Sequence, residues 1–199
     1  MIYLISAVIG YFLGSVPFGL VITRLAGMGD IRKIGSGNIG ATNVLRTGRK
    51  DLALLTLICD VSKAGVAALI AQALFGNPIA GLVAGTAGVI GHNFPIWLKF
   101  KGGKGVASTL GMMLATNPLV GVLACLTWLL VAVLFRYSSL SALTALAFSP
   151  IYAWVLGGHD ARVYALFYAF LALLSFIRHK ANILRLLNGT ETQIKMKKE

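Results

Sequence analysis

Charge is scarce in this 199-residue chain: Asp, Glu, Lys and Arg make up only 12% of it, against about 25% in soluble domains. Acids are scarcest, six against 18 basic residues, and cysteine is limited to Cys59 and Cys125. Apolar residues account for 57%, and the mean hydropathy is +0.82. A domain of this size has too little interior to hide that much hydrocarbon from water, which excludes an ordinary soluble enzyme. The same composition excludes a disordered tail. Both cysteines sit inside apolar runs, where a thiol behaves as a small hydrophobe, so no disulfide-stapled secreted module and no redox site is expected. No residues cluster with metal-ligand spacing, and neither a metal nor another cofactor is expected.

The net charge of +12 invites a nucleic-acid reading, but its distribution argues against one. All basic residues except Lys63 and Arg162 fall in clusters at 24–50, 99–104 and 178–199, or at Arg136. Apolar stretches separate them: Ile2–Thr23, Leu52–Phe75, Ile79–Leu98, Val106–Thr116, Leu119–Phe135, Leu140–Leu156 and Val163–Ile177. A bilayer-spanning helix needs about 20 apolar residues, and no strand-period alternation points to a barrel. The expected fold is therefore all-α, a polytopic membrane protein of about seven transmembrane helices in one domain, 1–199, with five or six spans as alternatives. With seven crossings every basic cluster falls on one side. The positive-inside rule then places the N-terminus outside and the C-terminus in the cytoplasm. Met1-Ile2-Tyr3 carries no basic side chain and no small-residue cleavage site follows, so the first segment reads as a retained helix rather than a signal peptide. The many glycines suit close helix packing in lipid.

The fourth segment is short. From Gly102 to Thr116 the chain makes roughly 22 Å of helix against a hydrocarbon core of about 30 Å. Asn117-Pro118 closes one end, because a residue before proline is pushed out of helical geometry. The stretch Lys101-Gly102-Gly103-Lys104-Gly105 is then expected below the membrane surface, where irregular backbone is tolerated only inside protein or along a wet cavity. A glycine-rich turn that opens a helix offers backbone N–H groups and the positive end of the helix dipole. Lys101 and Lys104 add cations, and the place suits a phosphate. It is not a Walker A loop, whose lead residues are missing. The alternative is a glycine hinge with lysines reaching for lipid headgroups.

The segment Asp30 to Lys50 is equally dense. Gly35, Gly37 and Gly40 permit backbone geometry closed to other residues. Ser36, Asn38, Thr42 and Asn43 supply small hydrogen-bonding groups, and Arg46 can grip a phosphate with a bidentate fork. A plain basic loop reading anionic lipid needs the cations but not this pattern. Within the second apolar stretch Asp60 and Lys63 lie i to i+3 on one helical face. Charges inside a membrane are costly and imply a paired or functional role, here mutual pairing first and substrate contact second. His92 precedes Asn93 and Pro95, His179 and Asn182 lie one turn apart with Arg185 one turn further, and His159 falls on the opposite side without an expected role. The second group also reads as a plain juxtamembrane basic helix. Ser139, in Tyr137-Ser138-Ser139, serves equally as a helix cap or as a hydroxyl donor to phosphate.

These residues, in this order, resemble the bacterial acyl-phosphate:glycerol-3-phosphate acyltransferases, small integral-membrane enzymes of phospholipid synthesis. The resemblance runs nearly end to end. It rests on Gly14-Ser15-Val16-Pro17-Phe18-Gly19, on Gly35-Ser36-Gly37-Asn38 through Thr42-Asn43 to Arg46, and on Gly91-His92 with Pro95. It continues in Phe100-Lys101-Gly102-Gly103-Lys104-Gly105-Val106-Ala107 and in Arg178-His179 with Asn182, Arg185, Gly189 and Glu191. One departure is Ala64, where the family pattern has glycine after the lysine.

The resemblance implies transfer of a fatty acyl group from acyl phosphate to the 1-hydroxyl of glycerol 3-phosphate, giving lysophosphatidic acid at the cytoplasmic face of the bacterial inner membrane. It implies that Lys101, Gly102, Gly103, Lys104 and Gly105 hold the acyl phosphate. Ser36, Arg46, His179 and Asn182 would position glycerol 3-phosphate, with Asn43 and Ser139 as weaker candidates, and Asn38 and His92 are further substrate-binding candidates. Ser36, Lys104 and His179 are the candidates for the chemistry itself. Lipid and the two substrates are the expected partners, and the soluble enzyme that makes acyl phosphate is a further one. The alternatives are a transporter of organic phosphates, against which the missing inverted repeats argue, and a structural anchor, which leaves the glycine pattern unexplained.

Overall fold

A computed structural model describes residues 1–194. Lys195, Lys197 and Lys198, part of the last basic cluster, lie outside the described residues. Among the described residues there are ten α-helices and no strand. They are α1 (Ile2–Ser15), α2 (Phe18–Leu25), α3 (Ala41–Leu45), α4 (Lys50–Phe75), α5 (Pro78–Asn93), α6 (Val106–Thr116), α7 (Pro118–Phe135), α8 (Ser138–Leu156), α9 (Ala161–Arg178) and α10 (Lys180–Leu187). Cys59 and Cys125 are both free thiols.

Six segments are long and apolar enough to cross a membrane: Ile2–Leu25, Lys50–Phe75, Pro78–Leu98, Pro118–Phe135, Ser138–Leu156 and Gly158–Arg178. The seventh apolar helix, Val106–Thr116, has only 11 residues, as the sequence leads one to expect. The first segment differs from the single helix expected over Ile2–Thr23, because it breaks between α1 and α2. Pro17 cannot donate a backbone hydrogen bond and holds Val16 extended, with φ −63° and ψ 117°.

The chain forms two compact units, Met1–Thr116 and a second that begins at Asn117. In the first unit, helices pack backbone to backbone through glycine. A Cβ at Gly10 would lie 2.0 Å from the Ala84 carbonyl oxygen, and one at Gly14 would lie 2.0 Å from that of Gly88, which seats α1 directly on α5. A Cβ at Gly111 would lie 1.9 Å from the Val61 oxygen, which seats α6 on α4. Without a hydrophobic force between helices in lipid, such close approach is a main source of cohesion. Gly14→Val is therefore expected to destabilise the unit by about 1–3 kcal/mol or more, read as a lower thermal midpoint in detergent. An unchanged midpoint would contradict the packing.

Asn77 and Asn117 start α5 and α7. The Asn77 Oδ1 accepts from the N–H groups of Ile79 and Ala80, and the Asn117 Oδ1 accepts from that of Val120; proline at the first helical position needs no partner. In the second unit α7, α8 and α9 pack in sequence, and the Thr127 and Tyr152 hydroxyls meet at 2.8 Å between α7 and α8. Large apolar side chains such as Leu126, Leu129, Leu130, Val133 and Leu134 of α7 are exposed, as a lipid-facing surface requires.

Candidate active site

The first unit carries two loop constellations on one apolar base. Leu20, Ile31, Ile39, Val44 and Ala53 form a buried cluster under the segment 31–46, and Leu98, from the loop ahead of Lys101, packs against the same cluster. The two stretches with phosphate-binding character therefore share an end of this unit.

Asn43 builds the first constellation. It is buried, and its Nδ2 donates to the carbonyls of Ile31, Ile34 and Asn38 at 2.8–3.0 Å, while its Oδ1 accepts from the Ser36 N–H at 2.9 Å. Its side chain thus shapes the loop, and the loop presents Ser36. Gly35 adopts φ +57°, and a Cβ there would lie 2.4 Å from the Asn43 Oδ1 and 3.0 Å from the Arg46 Cδ. The stem of Arg46 consequently crosses Gly35 next to Ser36, with both side chains exposed. The Asn38 Oδ1 accepts from the neighbouring Ile39 N–H.

The arginines of this segment divide by their carboxylates. Arg24 and Arg32 pair with Asp30, and Arg49 pairs with Asp51. Hydrogen bonds from Arg32 hold the Asp30 carboxyl well below the usual carboxylate range, and those from Arg49 hold that of Asp51 at about 2. Arg46 has no carboxylate partner among the described residues, so its guanidinium is the one left to meet an anionic ligand.

The second constellation hangs from the end of α5. Lys99 and Phe100 both adopt positive φ, 52° and 61°, unusual for residues with a Cβ. Three backbone bonds hold this turn: Lys99 to Ile96, Phe100 to Pro95 and Lys101 to Leu98. The glycine pattern predicts free N–H groups along the stretch. Two of them are instead taken, that of Gly102 by the Asn93 carbonyl at 3.2 Å and that of Gly103 by the His92 carbonyl at 3.0 Å. The donors without intrahelical partners are then those of the first turn of α6, beyond Gly105. Lys101 is exposed and Lys104 half-buried, while Gly103 and Gly105 are buried. His92 is buried behind the loop with its Nδ1 2.7 Å from the Lys63 Nζ.

In the second unit, His179 lies buried at the junction of α9 and α10. Its Nδ1 stands 2.8 Å from the Ser175 carbonyl, an acceptor only, so Nδ1 carries a hydrogen and the neutral ring keeps its lone pair on Nε2. Asn182 follows one turn later. Glu191 binds the surroundings together. Its Oε1 accepts from the Ser139 hydroxyl at 2.7 Å and the Asn182 Nδ2 at 2.6 Å, and its Oε2 accepts from the Arg185 Nε at 2.7 Å. Ser139 therefore turns to Glu191 rather than capping α8.

The profile of a family described as "Glycerol-3-phosphate acyltransferase" matches residues 4–189. The chain belongs to this family of acyltransferases. A relative named glycerol-3-phosphate acyltransferase from Rhodospirillum rubrum is 61% identical over 98% of this chain and 92% of its own length. One from Paramagnetospirillum magneticum is 59% identical over 100% and 98%. Two crystal structures of PlsY (YgiH), an integral membrane glycerol 3-phosphate acyltransferase, share the fold at 37% identity. Its glycerol 3-phosphate form has a TM-score of 0.89, covering 97% of this chain and 96% of that one. Its lysophosphatidic acid form has a TM-score of 0.87, covering 97% and 95%. An integral membrane fold fits the six apolar segments, and the protein is a multi-pass membrane protein.

For this acyltransferase the structure divides the expected site residues by unit. Ser36, Asn38, Asn43, Arg46, His92 and the stretch Lys101 to Gly105 belong to the first; Ser139, His179 and Asn182 belong to the second. Glu191 is the organising residue that the chemical reading of the sequence passes over. With only six acids among 18 bases, a carboxylate set in a basic segment signals such a role.

Proposed function

We propose that this acyltransferase moves a fatty acyl group from acyl phosphate to the 1-hydroxyl of glycerol 3-phosphate, releasing phosphate and lysophosphatidic acid. The observation that carries the reading is the pair of loop constellations on one apolar base, matched to two phosphate-bearing substrates. Arg46 and Ser36 take the phosphate of glycerol 3-phosphate, and resemblance to the family gives His179 and Asn182 an acceptor-positioning role. The turn Lys101 to Gly105 and the mouth of α6 take the acyl phosphate, with the Lys104 ammonium facing its phosphate.

Acyl phosphate is already an activated mixed anhydride, so no covalent enzyme intermediate is needed. The glycerol hydroxyl attacks the acyl carbonyl, the new ester C–O bond forms, and the bond to phosphate breaks. Positioning supplies much of the rate, and Lys104 with backbone N–H groups stabilises the oxyanion. The hydroxyl proton passes to a substrate phosphate oxygen, with His179 as the alternative acceptor. The relatives named glycerol-3-phosphate acyltransferase and the two PlsY forms support this acceptor and product. The clustering of cations supports a cytoplasmic site in a bacterial inner membrane, N-terminus outside. The soluble enzyme that makes acyl phosphate is the partner this reading implies.

Purified protein in vesicles with acyl phosphate and labelled glycerol 3-phosphate should yield labelled lysophosphatidic acid. Uptake of label without product would instead identify a transporter. His179→Ala separates the two proton routes. Loss of glycerol 3-phosphate binding, with turnover at saturation reduced less than about tenfold, is expected if the ring positions the acceptor. Lost turnover with unchanged binding would make it the base.

A further inference from the structure

Three side chains from two helices meet in the buried part of the first unit. The Lys63 Nζ lies 2.8 Å from the Asp60 Oδ1, 2.7 Å from the His92 Nδ1 and 3.0 Å from the Val16 carbonyl, which its ammonium donates to. Side-chain exposure is 2% for Lys63, 3% for Asp60 and 5% for His92. Mutual neutralisation would explain Asp60 and Lys63. It does not explain why Lys63 also contacts an imidazole from α5 and a carbonyl at the α1–α2 break.

The chemistry of the contact fixes the state of the ring. An ammonium has three donors and no lone pair, so it cannot accept from an N–H. Paired with the Asp60 carboxylate as an ammonium, Lys63 donates, so the Nδ1 facing it at 2.7 Å accepts and the ring hydrogen sits on Nε2; the Asp60 Oδ1, already taken by Lys63 at 2.8 Å, lies 3.6 Å from the same Nδ1. That nitrogen faces the glycine turn, since a Cβ added to Gly103 would lie 2.0 Å from it. The same residue holds the turn through its main chain, its carbonyl accepting from the Gly103 N–H at 3.0 Å. A ring presenting N–H toward a site for a phosphate attracts the ligand; a ring presenting a lone pair repels it.

We propose that Lys63, braced by Asp60, locks His92 as its Nε2–H tautomer, and that this edge sets the glycine turn in the form that receives the acyl phosphate. Lys63 and Asp60 are positioning residues acting through His92. The proposal rests on assigning the turn to the acyl phosphate, as given above.

Removing Lys63 alone would strand a buried carboxylate, whereas replacing both ions with apolar side chains is tolerated far better. The test is thus Asp60→Leu with Lys63→Leu, compared with the unaltered protein. Expected is a rise of about tenfold or more in KM for acyl phosphate, with kcat and the KM for glycerol 3-phosphate within about twofold. Adding His92→Gln, whose amide donor sits near the Nε2 place and needs no tautomer, should restore the KM to within about threefold. Nitrogen NMR of histidine-labelled protein should show His92 protonated at Nε2 only, and a mixture of tautomers in the double variant. An Nδ1–H ring in the unaltered protein, an unmoved acyl phosphate KM, or an equal rise in both KM values would overturn the proposal. If the double variant does not fold, single variants decide. His92→Gln should stay within about threefold in acyl phosphate KM and His92→Phe should not; the reverse order overturns the idea. Failure of the donor assignment looks different, because the unaltered protein would then not turn over acyl phosphate at all while its NMR signature stood.

Discussion

Gly103→Ala is expected to lower turnover by about 100-fold or more while leaving the protein folded, since a misplacement of about 1 Å near the chemistry can cost that much. The added methyl would lie 2.0 Å from the His92 Nε2 and 2.8 Å from its Cδ2 and Cε1. An ordinary side chain could swing away, but the far edge of this ring is held by Lys63 at 2.7 Å. With the ring held, the turn must leave α5, which moves the backbone that leads to Lys104 and the start of α6. Gly102→Ala meets backbone instead, 2.1 Å from the His92 carbonyl oxygen, together with the Pro95 ring at 2.4 Å. That variant should lose stability as well as activity. Initial rates with both substrates saturating, beside a melting curve in detergent, separate the two outcomes. Near-normal turnover in Gly103→Ala would mean that the turn does not hold a substrate.

Much of this arrangement is legible from residue order, and the remainder shows which physical signals a linear reading lacks. The short helix Val106–Thr116 emerges because glycines and Asn117-Pro118 delimit it from both ends. The ion pair of Asp60 and Lys63 emerges from helical spacing and the cost of charge in apolar surroundings, and it forms at 2.8 Å. Its third member does not, because His92 stands 29 positions further along and reaches Lys63 only through the packing of α5 on α4. The break at Val16–Pro17 escapes a hydropathy reading for another reason: the residues on both sides remain apolar, and only proline marks the turn.

The loops follow the same division. Arg32 and Arg49 each lie two positions from their carboxylates, Asp30 and Asp51, so their neutralisation is a local matter that the sequence displays. That leaves Arg46 as the arginine of this segment without a carboxylate partner among the described residues. The fate of Gly102 and Gly103 is not local. Their N–H groups are satisfied by carbonyls at the end of α5, and a glycine-rich stretch carries no mark that says where its donors point. Asn43, too, looks from composition like a ligand for substrate, and only the folded loop shows its amide bonded to the chain around it.

Glu191→Ala is the second substitution with a large expected effect, again about 100-fold or more in turnover, here because a supporting residue outside the chemistry loosens those it orients. The loss would leave the Ser139 hydroxyl, the Asn182 amide and the Arg185 guanidinium without this acceptor. It would also release the tail, whose Thr190 N–H donates to the Arg185 carbonyl and whose Ile194 N–H donates to that of Arg136. Glu191→Gln keeps one acceptor oxygen and should fall between the two, holding Ser139 and Asn182 or Arg185 but not all three. Burial pushes the Glu191 carboxyl up, and the hydrogen bonds from Asn182, Ser139 and Arg185, with the charge of Arg185, more than reverse this and hold it below its ordinary value. A carboxyl lowered by folding stabilises the native state at pH values above its unfolded value and loses that contribution as pH falls through the folded one. The clamp is therefore fully present at neutral pH and opens only on the acid side of the ordinary carboxylate range. Melting temperatures across acid pH should show a falling limb in the unaltered protein that flattens in Glu191→Gln, while the amide variant starts lower at neutral pH. A limb that survives the substitution unchanged would assign acid sensitivity to another carboxylate, Asp30 or Asp51, and would remove the reason for treating Glu191 as the residue that holds Asn182 in place.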